Sequence, residues 1–133
     1  VATTASSRGE LLTEHILRAV EQIPRGRVAT YGDIARVVGC GPRQVGLVMS
    51  RAGGSVCWWR VVSASGDLSV ADKALAHWAE EGIEAKPSGR GCRVAEHRAD
   101  LGVLAADYAM AVTDLPCLAI GRSTGATERG RPR

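Results

Sequence analysis

Few side chains in this sequence are equipped for covalent or metal chemistry. There are four cysteines, Cys40, Cys57, Cys92 and Cys117, and three histidines, His15, His77 and His97. The cysteines are scattered with no Cys-x-x-Cys pair, and the histidines do not cluster with them, so the spacing predicts no metal site. A cysteine becomes a nucleophile only where its neighbours lower its pKa. Cys57 has the most unusual neighbours, in the run Ser55-Val56-Cys57-Trp58-Trp59-Arg60-Val61-Val62. Two adjacent tryptophans stand out in a chain with three Trp, two Tyr and no Phe. Gly53-Gly54 precedes the run and a Ser65-Gly66 turn follows it, which reads as a loop feeding a short strand. Neighbouring strand side chains face opposite sides. One indole should then face the core and the other a cleft or solvent; the plainer reading has both filling a small core.

A chain of 133 residues with 45% apolar residues fits one domain with tails. The net charge of +3 is unevenly spread. Residues 1–60 carry eight Lys/Arg against four Asp/Glu, residues 61–99 five against six, and residues 100–133 four against four. The basic excess in the first half suggests an anionic partner there, or ordinary solubility charge. No secretory signal or membrane-spanning run is evident, so the expectation is a cytoplasmic protein with reduced thiols and no membrane partner.

The periodicity places these groups. Residues 1–8 are expected to be loose. From Glu10, Leu11, Leu12, Ile16, Leu17, Val20 and Ile23 follow a helical period that Pro24 stops. Arg27-Val28-Ala29 suits a short strand. Thr30 and Asp33 have capping-box spacing for a helix from Tyr31 to Val38 that ends at Gly39. Pro42 opens the next helix, with Val45, Val48, Met49 and Ala52 as its buried stripe and Arg43, Gly46, Leu47 and Ser50 on another face. Helix, glycine turn, helix is the grammar of a helix-turn-helix, which serves both as a structural pair and as a DNA reader. A further helix capped by Asp72 or Ser69 should carry Ala74, Leu75, Trp78 and Ala79 and end at Gly82, with Trp78 in the core and His77 beside it on the surface or in the core. Ile83-Glu84-Ala85 and Cys92-Arg93-Val94 could pair as a wing-like hairpin. Leu101 to Ile120 is either an extra helix or a poorly ordered extension, and Gly121 to Arg133 reads as a disordered basic end. The fold class expected from these elements is mainly α with short β elements, a winged-helix-like arrangement around the helix-turn-helix.

The run Ile23-Pro24-Arg25-Gly26-Arg27-Val28-Ala29-Thr30-Tyr31-Gly32-Asp33-Ile34-Ala35, then Arg43-Gln44-Val45-Gly46, then Trp58-Trp59-Arg60-Val61-Val62, then Glu80-Glu81-Gly82, resembles the alkyltransferase-like proteins, relatives of the O6-alkylguanine-DNA alkyltransferase C-terminal domain. In the true alkyltransferases the corresponding strand reads Pro-Cys-His-Arg-Val, and the Cys accepts the alkyl group through a His and a Glu. The resemblance lays Trp58 on the acceptor, Trp59 on the His and Glu81 on the Glu. An indole cannot act as a thiolate, so no catalytic residue and no cofactor is expected.

The resemblance covers residues 9–99 and implies a winged-helix-like helix-turn-helix DNA-binding domain there, working instead as a non-enzymatic sensor. It would bind double-stranded DNA, flip O6-alkylguanine into a pocket formed by Trp58, Tyr31 and Arg43, and flag it for nucleotide excision repair proteins, acting as a monomer. Arg43 matches the family's arginine finger and Tyr31 its phosphate-pressing tyrosine. Gly46, Ser50 and Arg60 complete the implied DNA contacts. A stacking side chain and a wedge offset the cost of flipping, and a minor-groove helix suits that mode. The segment between Gly66 and Glu81 is shorter than in relatives, which implies a wider or a weaker pocket. Two other functions stay open. One is a winged-helix protein without lesion specificity; the other is an active alkyltransferase using Cys57, although strand geometry should turn Cys57 away from the pocket.

Overall fold

The computed structural model describes residues 3–118, with side chains from residue 8. Six helices surround a sheet of two very short strands: α1 Thr3–Glu21, β1 Ala29–Thr30, α2 Tyr31–Val38, α3 Pro42–Ala52, β2 Val61–Val62, α4 Ala71–Glu81, α5 Val94–His97 and α6 Leu101–Ala111. Mainly helical with a small sheet, this is the expected class.

The strands are parallel, with Ala29 opposite Val61 and Thr30 opposite Val62. Parallel strands need a crossover, and α2 with α3 supplies it. Strand alternation then divides the interior. Ala29 and Val61 face a cluster built from Ile16, Val20 and Ile23 of α1, Ile34 and Val38 of α2, and Val45 and Val48 of α3. Val28 and Val62 face a second cluster of Ala71, Ala74, Trp78, Ile83 and Cys92. Trp78 is fully buried, as expected. On the other side of β1, Val28 N–H donates to the His97 carbonyl and Ala99 N–H to the Val28 carbonyl, both at 2.8 Å.

The helix-turn-helix forms for local reasons. The Thr30 hydroxyl accepts from Asp33 N–H at 3.0 Å, and the Asp33 carboxylate accepts from Thr30 N–H at 3.1 Å. Asp33 is buried and also accepts from Arg98 Nε at 2.9 Å. Burial alone would raise the Asp33 pKa, but Arg98 and the Thr30 N–H outweigh it and lower the value. Gly39 ends α2 at φ +92°, in the left-handed region. Pro42 occupies the first turn of α3, and the Gln44 side chain accepts from Gly41 N–H at 2.8 Å.

Several sequence expectations are corrected. Helix α1 starts at Thr3, so residues 3–8 are helical rather than loose. The Trp pair is not in a strand: residues 58–60 form a 3-10 turn, and only Val61 and Val62 are extended on the sheet. Helix α4 follows Val70 with no side-chain cap, so neither Ser69 nor Asp72 serves there. The wing reduces to single antiparallel bridges, Ala85 with Cys92 and Asp67 with Gly91, and Val94 begins α5. Two glycines explain the crossing: a Cβ on Gly66 would collide with the Cys92 carbonyl, and one on Gly91 with the Gly66 carbonyl.

Packing also continues past residue 99. Helix α6 is capped by Asp100, which accepts from Val103 N–H at 3.0 Å, and Leu104 is buried in the first cluster. His15 of α1 contacts the Tyr108 hydroxyl at 2.6 Å and the Pro116 carbonyl at 2.9 Å. The carbonyl can only accept, so Nε2 carries a proton. Arg18 reaches the Ala111 carbonyl at 2.7 Å and Asp114 at 2.9 Å. Of the two expectations for residues 101–120, the extra helix forms, as α6; the basic end from 121 lies outside the described residues. No described helix is long and apolar enough to cross a membrane.

If α6 is part of the fold, Leu104→Ala should cost about 2–5 kcal/mol, the usual range for a buried leucine. Urea unfolding of the full chain reads this; a change near zero would make α6 an appendage.

Candidate nucleic-acid interface

The Trp-Trp-Arg turn is held by one carboxylate. Glu81, at the end of α4, has a side chain only 3% exposed. It accepts from Trp59 Nε1 at 3.0 Å, from Gly26 N–H at 3.0 Å, and from the Arg60 guanidinium at 2.6 Å. Arg60 also donates to the Ile23 carbonyl at 2.9 Å. One anion thus joins the turn after α1, the 58–60 turn and the end of α4. Burial pushes the Glu81 pKa up, but Arg60 and the N–H groups of Gly26 and Trp59 prevail and bring it down from an ordinary 4.5 to about 2. A carboxylate so committed is a structural clamp.

The aromatic rings pack around this knot. Trp78 Nε1 donates to the Trp59 carbonyl at 2.7 Å. Trp58 and Trp59 are both half-buried against the second cluster, so neither indole lies deep in the interior. Cys57 is half-buried, and among the described residues no histidine or carboxylate hydrogen-bonds its sulfur. Cys92 is buried, which pushes its thiol up to about 11. Glu84, Glu96 and His97 do come together at the surface. However, Arg93 lies 3.9 Å from Glu84 and 3.3 Å from Glu96, and His97 Nε2 already accepts from Glu84 N–H.

Helix α3 turns an open face outward. Arg43 lies in its first turn, exposed, with no ion pair among the described residues. Nothing lies within 4 Å of where a Cβ on Gly46 would project. Ser50 is exposed and donates to the Leu47 carbonyl at 2.9 Å. Leu47 is 50% exposed, and Arg51 is exposed one turn beyond it. The stripe Arg43, Leu47, Arg51 follows the i, i+4 period of one helix face. Cations around an apolar centre suit a polyanion with hydrophobic groove walls, which is the surface of duplex DNA.

Tyr31 opens α2 and is half-buried, which raises its pKa. It lines a cavity of about 570 Å³ with Arg36, Pro42, Ser63, Ala64, Val94, Ala95 and Arg98.

The sequence profile described as 6-O-methylguanine DNA methyltransferase, DNA binding domain, matches residues 12–86. The chain belongs to this family. The DNA base-flipping protein of Vibrio parahaemolyticus is 32% identical over 83 residues, spanning 56% of this chain and 83% of that protein. The DNA base-flipping protein of Escherichia coli is 34% identical over 85 residues, spanning 58% of this chain and 66% of that protein. Among solved structures, S. pombe Atl1 in complex with damaged DNA containing O6-carboxymethylguanine superposes with a TM-score of 0.61 at 30% identity, covering 68% of this chain and 96% of that one. The two chains share the helix-turn-helix type of fold.

With the family established, the site residues can be placed. Trp58, Trp59, Arg60 and Glu81 converge on one knot. Arg43, Gly46 and Ser50 share the outer face of α3. Arg60, expected at the DNA interface, is instead committed to Glu81 and Ile23, because a buried carboxylate requires a cation. The Tyr31 cavity is lined by neither Trp58 nor Arg43. The knot holds the 58–60 turn on the second cluster while Tyr31 packs on the first. Sequence reading missed Arg51 and Arg36; extending the Arg43 stripe by two helical turns would have found Arg51. It also missed the Trp59–Glu81 bond, for which no local signal exists.

Because its folded pKa is depressed, Glu81 contributes stability above about pH 4.5 that is lost as pH falls toward about 2. The wild-type advantage over Glu81→Gln should be on the order of 3 kcal/mol at neutral pH. It should shrink across that acid window in chemical unfolding followed at several pH values. A gap that does not vary with pH would contradict the ionised clamp.

Proposed function

We propose that this chain is a non-enzymatic sensor of alkylated DNA. It binds duplex DNA through the outer face of α3, everts an O6-alkylguanine and holds it without repairing it. One observation carries this: an indole, Trp58, stands at the family's acceptor position, while Glu81 is spent on Trp59, Arg60 and Gly26. Neither a nucleophile nor a relay is left, yet the DNA-facing helix keeps Arg43, Gly46 and Arg51 free. The relatives whose names record base flipping and a bound damaged duplex support the same direction.

Arg43 is the wedge that occupies the gap left by the everted nucleotide, and Tyr31 presses on the neighbouring phosphate. Eversion costs a few kcal/mol, least for a damaged pair, which gives a lesion its advantage. A held but unrepaired lesion needs a second activity to remove it, and excision of a short strand by nucleotide excision repair proteins fits that need. A cytoplasmic monomer associated with the nucleoid is part of this proposal.

One observation favours a second reading, a helix-turn-helix protein that binds DNA without regard to lesions: the Tyr31 cavity does not include Trp58. Binding of an O6-methylguanine duplex against its unmodified twin at one fixed salt concentration separates the two. The sensor binds the modified duplex distinctly more tightly. Equal affinities would leave only the second reading.

Arg43→Ala should weaken lesion binding by about 1–3 kcal/mol, the range for a directly contacting arginine, and lower the lesion preference. Intact-mass measurement after incubation with O6-benzylguanine should show no adduct; a benzyl group on Cys57 would restore the alkyltransferase reading.

A further inference from the structure

Three aromatic rings meet beside the Glu81 knot. The His77 imidazole of α4 stacks on the Trp59 indole, with centroids 3.8 Å apart and planes 7° from parallel. Trp58 stands nearly perpendicular to both, at 85° to Trp59 and 78° to His77. Its centroid is 5.7 Å from Trp59 and 5.6 Å from His77. A ring above or below a stacked pair would be much farther from one member than from the other. Near-equal distances put Trp58 at the side of the stack, against the edges of both rings. Such edge contacts are favourable because ring edges are electropositive and faces electronegative.

The rings differ in how they are tethered. Trp59 is held by its N–H on Glu81 and by Trp78 on its carbonyl. The Trp58 indole N–H has no hydrogen-bond partner among the described residues, so packing alone orients that ring. His77 lies on the half-exposed side of α4, and within the aromatic cluster its ring is the one contributed by a distant stretch of chain.

We propose that His77 is a positioning residue for Trp58: stacked on Trp59, its ring supplies half of the edge on which Trp58 rests and so sets the angle at which that indole meets an everted base. This rests on the sensor reading, in which Trp58 is the surface the lesion meets. Trp59 and His77 act together, since each ring keeps the other in plane. Flatness and size matter, not the imidazole's protons.

The test uses the full chain, with His77→Ala and His77→Phe. Far-UV circular dichroism reads the exciton coupling of the perpendicular Trp58–Trp59 pair, and equilibrium binding at one salt reads the preference for an O6-methylguanine duplex over its plain twin. His77→Ala should alter the coupling and cut the preference by roughly 3- to 10-fold, as loss of a ring–ring contact would, leaving plain-duplex affinity unchanged. His77→Phe should restore both. An unchanged coupling or preference in His77→Ala, an equal loss on both duplexes, or a failure of His77→Phe to restore them would overturn the proposal. Wild-type protein with no lesion preference would sink the sensor reading instead, and the coupling would still decide whether His77 positions Trp58.

Discussion

The buried carboxylate of Glu81 is the constraint on which the rest of the structure depends. An anion out of water is tolerated only when its lone pairs are met by donors and its charge by a cation. Here the donors come from Gly26, Trp59 and Arg60. Gly26, the adjacent pair Trp59–Arg60 and Glu81 come from three distant stretches of chain, so satisfying one group fixes the relation between α4, the turn after α1 and the aromatic turn. Arg60 extends the same network to the Ile23 carbonyl, closing the end of α1. The Trp59 indole N–H that meets Glu81 can only donate, so the pair is a structural contact.

The two-residue strands turn this knot into an architecture. Too short to be stable alone, they divide two apolar clusters by alternation, with Ala29 and Val61 on one side and Val28 and Val62 on the other. The helix-turn-helix belongs to the first cluster and the aromatic turn to the second. Helix α3 therefore presents its cations from the first cluster, while the rings around Trp58 pack on the second. The outer face of α3 and the indole of Trp58 are thus carried by two different halves of the interior. Helix α6, lying past the family match at residue 86, braces the first half through Leu104, His15 and Arg18.

Much of the fold was legible in the chain. The capping box at Thr30 and Asp33, the stop at Gly39, Pro42 at the head of α3 and Gly82 at the end of α4 are local devices, set by backbone geometry within a few residues. The burial of Trp78 and of the Val45–Val48 stripe follows from helical period. Strand alternation predicts opposite faces for Trp58 and Trp59, but that stretch is a turn held by the long-range bonds of Trp59 and Arg60 to Glu81. The hairpin around Pro87 forms as the Ala85–Cys92 bridge, with Arg93 N–H on the Glu84 carbonyl, while the close crossings at Gly66 and Gly91 are contacts no local pattern encodes.

By itself the sequence determined the class of fold, the helix-turn-helix and its outward Arg43–Gly46 face, and the adjacent indoles at positions 58 and 59. These depend on residue type and short spacing. Tertiary structure alone decided that Arg60 is internal, that Glu81 is a clamp, that Tyr31 and Trp58 rest on different clusters, and that His77 meets both indoles. Each of those depends on which distant groups share one buried volume, and that is chosen by the need to pair every buried charge and fill every gap at once.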